Sequence, residues 1–287
     1  MTEPLVQLRD VDVALNGHVV LHGLNWQLRP GENWAILGGN GSGKSTFLKL
    51  VRGEIWPAPG CQGQRRYVFN GDAQATAVGV RDLMGFVSPE LQERYLQIEW
   101  TLSGREVVYS GFSNSDFVPR KPTAAQRARA DSLIRRFGVQ ELLDRNVQQL
   151  STGELRRLVI VRALVGNPPI LILDEVCDGL DASGRVALLS LVEQIAEEGT
   201  QLLFTTHRKT EVPKAVTHVA LFQHGRILKQ GPRDSIAFQS GVARQERRKG
   251  SSALPGADHP LVTIEAADVY LERKKVLKNI HWQVCAN

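Results

Sequence analysis

Two stretches near the N-terminus alternate apolar and polar positions with a period of two. Leu5 to Ala14 and Val19 to Leu28 follow this pattern on either side of Asn16-Gly17, which predicts an antiparallel hairpin closed by a tight turn. Trp34-Ala35-Ile36-Leu37 is short and uniformly apolar, so it reads as a buried strand running into a glycine-rich turn. A helix is expected over Lys44 to Arg52, ended by Gly53. Further along, Thr123 to Phe137 reads as a helix stopped by Gly138, Glu154 to Val165 as a second, and Ser183 to Glu198 as a third ended by Gly199. The apolar runs Gly85-Phe86-Val87, Ile170 to Leu173 and Gln201 to Thr206 read as strands. This alternation predicts an α/β fold with a mostly parallel core sheet, to which the N-terminal hairpin adds an antiparallel part.

The pattern of the first hairpin returns near the C-terminus. Pro4-Leu5-Val6 recurs as Pro260-Leu261-Val262, and the match continues without a gap through Asp12-Val13 and Asp268-Val269, Val20-Leu21 and Val276-Leu277, and Trp26-Gln27 and Trp282-Gln283. The chain therefore contains an internal duplication. The first copy goes on to Arg29-Pro30-Gly31-Glu32, whereas the second reaches Val284 and then reads Cys285-Ala286-Asn287. We expect a domain over 1–235, a linker over 236–259 and the truncated start of a second domain over 260–287. The stretch Gly231 to His259, rich in Gly, Ser and charge, reads as tail and linker.

The glycine-rich turn carries chemistry. Gly38-Gly39-Asn40-Gly41-Ser42-Gly43-Lys44-Ser45 fits the phosphate-loop pattern and lies between a predicted strand and a predicted helix, the context the pattern requires. Its backbone N–H groups converge on phosphate oxygens at a helix N-terminus, Lys44 reaches the β and γ phosphates, and Ser45, followed by Thr46, offers a hydroxyl to Mg2+. Downstream, Asp174-Glu175 places two carboxylates at the C-terminal end of a buried strand, where α/β sheets form their ligand crevices. Asp174 suits a Mg2+ ligand, and Glu175 suits the base that orients and deprotonates an attacking water.

Leu150-Ser151-Thr152-Gly153-Glu154, shortly before that strand, resembles the signature of ABC-type ATPases. Ser151 and Glu154 also make a capping box, which by itself marks only a helix start. The resemblance extends to about residue 230. Gly179-Leu180-Asp181 corresponds to the D-loop of that family, and His207 to its γ-phosphate-sensing histidine. Phe86-Val87-Ser88-Pro89-Glu90-Leu91-Gln92, Thr206-His207-Arg208 and Glu211-Val212-Pro213 resemble the tandem cytosolic group of molybdate-transport and photorepair ATP-binding proteins. The resemblance implies a P-loop NTPase fold of ABC type, with a mixed, mostly parallel core sheet, an antiparallel β subdomain and a helical signature subdomain near Ser88 to Arg145. It implies ATP and Mg2+ as cofactors, and a second ABC domain whose Ser151 and Gly153 meet the nucleotide held by the first. Gln92 is the candidate for the family's Q-loop residue, at the metal and the attacking water, with Glu90 as competitor. Leu15, and Leu271 in the repeat, stand where the family carries an adenine-stacking aromatic.

Two functions fit the resemblance. One is an ATP-hydrolysing subunit that couples nucleotide-driven dimerisation to transport beside a membrane permease. The other is a soluble ATP-driven clamp on nucleic acid, a ribosome or another macromolecule. Composition narrows the setting. The 287 residues are 42% hydrophobic, ordinary for a globular chain, and no apolar run is long enough to span a bilayer. The N-terminus lacks the pattern of a signal peptide, so a cytoplasmic chain is expected, or one held peripherally at the inner face of the membrane. Cys61, Cys177 and Cys285 are far apart and lack metal-ligand spacing, which predicts reduced thiols. The formal charge of +5 sits partly in Arg244 to Lys249 and does not by itself point to nucleic acid.

Overall fold

An N-terminal hairpin precedes a sheet whose strands are interrupted by a helical segment, in a computed structural model that describes residues 3–69, 71–115, 118, 120–236, 262–271 and 274–284. Contacts divide the chain into two units, residues 1–237 and 238–287. All of the linker assigned to 236–259 except Ile236 lies outside the described residues.

In the first unit, β1 (Val6–Leu15) and β2 (His18–Leu28) form the expected hairpin. Asn16 and Gly17 both adopt left-handed backbone, with φ of 49° and 80°, matching a turn whose twist suits the flanking strands. β3 (Trp34–Leu37) leads into α1 (Lys44–Arg52), and then β4 (Gln64–Phe69) and β5 (Asp72–Gln74) complete a four-stranded antiparallel sheet in the order β2-β1-β4-β5. The helical part comprises α2 (Pro89–Leu96), α3 (Gly104–Ser110), α4 (Ala124–Arg136) and α5 (Thr152–Leu164). Capping boxes start α3 at Ser103, α4 at Thr123 and α5 at Ser151, each worth about 1 kcal/mol over an uncapped start.

The core sheet has six strands, with β6 (Met84–Val87), β7 (Ile170–Asp174), β8 (Gln201–Thr206), β9 (His218–Gln223) and β10 (Arg226–Pro232) joining β3. Its order is β10-β9-β3-β8-β7-β6; every neighbouring pair is parallel except β9 with β10. α6 (Ala182–Glu197) connects β7 to β8. The strand period of two splits the core into two faces. Ile170, Ile172 and Leu203 pack with Phe47 of α1 and Trp26 of the hairpin, while Leu171, Leu173, Leu202 and Phe204 pack with Leu158 and Val159 of α5. The fold is thus the α/β P-loop architecture expected, with antiparallel and helical subdomains on the two sides of one sheet.

One element departs from expectation. Gly231 and Pro232 end β10 rather than opening a tail, because that edge strand pairs antiparallel with β9 through Pro232↔His218.

The second unit holds β11 (Val262–Leu271) and β12 (Lys274–Val284), paired antiparallel. Its register repeats that of the first hairpin position for position: Leu8↔Trp26 returns as Ile264↔Trp282, and Val13↔Leu21 as Val269↔Leu277. The irregularities recur too. Asp10 and Ala266 have φ of 49° and 50°, and the backbone N–H groups of Gly23 and Asn279 donate to Asp12 Oδ1 and Asp268 Oδ1 at 2.7 and 2.8 Å. A bulge is a specific backbone event, so its repetition supports a shared origin for the two hairpins more strongly than apolar spacing alone.

Candidate functional site

Parallel pairing brings the C-terminal ends of three strands side by side. Leu37 of β3 pairs with Thr206 of β8, and Asp174 of β7 with Thr205 of β8. The chain leaves these ends as the Gly38–Gly43 loop, the Glu175 turn and His207, so residues far apart in sequence meet in one crevice.

Gly43 is the N-cap of α1, with φ 103° and no capping side chain, and no acidic residue occupies the first turn. The N–H groups of that turn are therefore left to an anionic ligand. Lys44 is 3% exposed. Its Nζ donates to the carbonyls of Gly38 and Gly39, both at 3.0 Å, and pairs with Glu175 Oε1 at 2.8 Å. The lysine thus spans the mouth of the loop, in reach of the position where an anion would meet both the loop and Glu175. Ser42 Oγ is buried without a partner, and Asn40, Gly41 and Thr46 complete the segment.

Asp174 is 4% exposed and accepts from Thr205 Oγ1 at 2.5 Å. Burial pushes its carboxyl above the usual range, opposed by hydrogen bonds from Thr205 and Ser45. A buried carboxylate joined to a hydroxyl is a hard-oxygen donor pair, which fits Mg2+; Ser45 and Asp174 are the residues that would hold it. Glu175 follows with φ 46°, a left-handed conformation rare for a glutamate, fixed by its N–H donating to Thr205 Oγ1 at 2.9 Å. Thr205 therefore ties the Asp174 carboxylate and the Glu175 backbone to β8. A polar residue inside the apolar run Leu202 to Thr206 was the sequence signal for it.

His207 lies at the end of β8 with its Nδ1 3.8 Å from Asp178 Oδ1. Gln92, by contrast, is not brought to Ser45 and Asp174. Ser88 caps α2 and Pro89 occupies its first turn, so the chain turns helical straight after β6 and carries residue 92 toward α5. There its Oε1 accepts from Arg156 Nε at 2.7 Å and its Nε2 donates to the Thr152 carbonyl at 3.2 Å. The competitor Glu90 pairs with Lys49 at 2.5 Å.

Ser151 and Glu154 bond reciprocally as a capping box, and Arg145 Nη1 donates to Glu154 Oε1 at 2.8 Å. The Ser151 N–H bond is the main cause that holds the Glu154 carboxyl below its usual range. Ser151 and Gly153 line a cavity of about 370 Å³ with Leu180, Ala187 and Leu191, and no phosphate-loop residue lines it. Asp181 caps α6 by accepting from Gly184 N–H at 2.7 Å. Leu15 is 40% exposed at the end of β1, while Trp26 and Trp34 are buried in edge-to-face contact at 5.5 Å. The two indoles are core residues with no free face for a nucleobase. Among the described residues, no helix is long and apolar enough to cross a membrane.

Residues 21–178 match the ABC transporter family. A protein of Streptococcus mutans named as an ABC transporter ATP-binding protein is 33% identical over 81% of this chain and 88% of its own length. The ABC transporter ATP-binding protein ModF of Escherichia coli is 33% identical over 75% of this chain, but the match spans only 44% of ModF. Among solved structures, cbiO1 of Clostridium perfringens, part of the ABC transporter complex cbiONQ, superposes with a TM-score of 0.65. It is 28% identical, over 80% of this chain and 89% of that one.

Proposed function

The chain belongs to the ABC transporter family and is an ATPase, and on that premise we propose that it couples nucleotide-driven pairing of two such domains to transport. The observation that carries this reading is the separation, within one copy, of the two surfaces a closed nucleotide site needs. Lys44, Ser45, Asp174 and Glu175 converge at the strand ends, whereas Ser151 and Gly153 line a different cavity. Closure around ATP then calls for a second ABC domain that presents its signature to this phosphate loop.

Each residue has a role set by its chemistry. The loop N–H groups and Lys44 hold the β and γ phosphates, which makes Lys44 release Glu175 on binding. Ser45 and Asp174 would hold Mg2+, which would neutralise phosphate charge. Glu175, freed from Lys44, orients the attacking water and takes its proton, while His207 stands at the γ-phosphate side of β8. Hydrolysis breaks the bond between the β and γ phosphates, and departure of the released phosphate takes away the charge that bridges the two domains and reopens the pair.

Sedimentation of the Glu175→Gln variant tests the pairing: it is expected to dimerise with Mg-ATP and to stay monomeric with ADP. A monomer under both conditions contradicts the reading. Purification from solubilised membranes tests the transport assignment. Recovery with a membrane-spanning permease supports it, and recovery only in a soluble pool bound to ribosomes or nucleic acid overturns it.

A further inference from the structure

The loop that follows β7 carries a carboxylate to which the roles above assign nothing. Glu175, Asp178 and His207 each place one side-chain nitrogen or oxygen within 4.8 Å of the others. Asp178 Oδ1 stands 3.8 Å from His207 Nδ1, with the Glu175 carboxyl beside it. His207 Nδ1 is buried with no hydrogen-bond partner, while Nε2 accepts from Arg208 Nε at 3.1 Å. Acceptance at Nε2 leaves the proton of a neutral imidazole on Nδ1, the atom that faces Asp178. A closure of about 1 Å would bring that N–H and the carboxylate into hydrogen-bond range.

The backbone of this loop is pinned from the other side. Arg156, on the signature helix α5 and 4% exposed, donates from Nη1 to the carbonyls of Val176 and Asp178, both at 2.5 Å. Its Nε donates to Gln92, whose amide also holds the Thr152 carbonyl at the start of α5. Burial of a guanidinium is costly unless its donors are used. Here they bind three elements, α2, α5 and the loop after β7, to one another. A displacement of α2 or of the signature helix is thereby passed to Asp178.

We propose that Asp178 is a positioning residue for ATP hydrolysis, which sets the orientation of Glu175 and His207 and receives its own position from the Gln92–Arg156 pair. The proposal rests on the reading of Glu175 as the base and His207 as the γ-phosphate contact. Asp178 touches neither phosphate nor metal in this scheme, so its removal changes turnover without changing nucleotide binding.

The test is a double-mutant cycle on the full chain, read by steady-state phosphate release and by Mg-ATP affinity. Asp178→Asn, close to isosteric, is expected to lower kcat by about 10- to 100-fold, within the range of general-base effects, with KM and ATP affinity within about twofold. In a Glu175→Gln background the same change is expected to add less than its full effect, because part of that effect runs through Glu175. Arg156→Lys, which keeps the charge and cannot reach three acceptors in one plane, is expected to lower kcat in the same way. The two readings fail separately. If Glu175→Gln alone leaves turnover near normal, the catalytic assignment beneath the proposal falls. If Glu175→Gln abolishes turnover but Asp178→Asn keeps kcat within twofold, lowers kcat and affinity together, or adds its full effect to that of Glu175→Gln, the positioning role is overturned.

Discussion

Substituting three glycines of one loop by alanine separates backbone strain from steric conflict at the phosphate site. Gly39 has no positive φ, and a Cβ there meets nothing within 4 Å; Gly41 has φ 73° and equally open space. Gly43 combines φ 103° with a Cβ position 2.6 Å from Leu21 Cδ2, a fully buried side chain of β2. Strain in a sparsely populated region costs on the order of 1–3 kcal/mol, and forcing apart a packed contact costs roughly 1–3 kcal/mol more. Gly39→Ala should thus leave stability within about 0.5 kcal/mol, Gly41→Ala should cost about 1 kcal/mol, and Gly43→Ala about 3 kcal/mol. For a domain of this size, with roughly 2–4 °C per kcal/mol, those figures become melting shifts near zero, of a few degrees and of about 6–12 °C. Differential scanning calorimetry without nucleotide reads them directly. Equal melting temperatures for Gly39→Ala and Gly43→Ala would refute the reasoning, since it derives their difference from φ and from Leu21 alone.

Three further outcomes follow from the site and the core. Lys44→Ala is expected to weaken ATP binding by about 10²-fold in calorimetry, the scale of lost charge-assisted bonds to phosphate, and unchanged affinity would remove the phosphate-loop assignment. With Leu15 at the stacking position and both nearby tryptophans buried, competition assays are expected to show ATP and GTP within a few-fold of each other; a strong ATP preference would place an unrecognised ring at the base. Burial pushes the Cys177 thiol up to about 12, so at pH 8 it stays a thiol, and in native protein peptide-mapped alkylation should label the half-buried Cys61 well before Cys177. Equal labelling of the two would contradict that burial.

The sequence carried those parts of the fold that are encoded locally. Asn16-Gly17 specifies its turn, the apolar run Ile170 to Leu173 specifies a strand enclosed on both faces, and the phosphate loop specifies strand, turn and helix together. α2 was as legible in principle, since Ser88 and Pro89 are a helix start, whereas Gln92 was assigned to the metal from the family resemblance alone. The end of β10 was misread because Gly231 and Pro232 look like a tail until β9 supplies the pairing that holds them. The roles of Arg156 and Asp178 were not readable at all, and Thr205 showed only as a polar residue in an apolar run. Thr205 meets Asp174 and Glu175 across the sheet, and Arg156 meets Gln92 and the loop after β7 across two helices. Such contacts are set by tertiary packing, and no local spacing signals them.

The measurement that tests the account most directly is single-site turnover against binding in Glu175→Gln. Glu175 sits in a left-handed turn at the end of β7 and pairs with Lys44; removing its charge takes away the base and leaves the loop that holds the phosphates. Phosphate release from Mg-ATP is therefore expected to fall by at least about 10²-fold, while calorimetric affinity for Mg-ATP stays within a few-fold of the unmodified chain. Near-normal phosphate release by this variant, or loss of Mg-ATP binding in step with turnover, would contradict the placement of the catalytic base at Glu175.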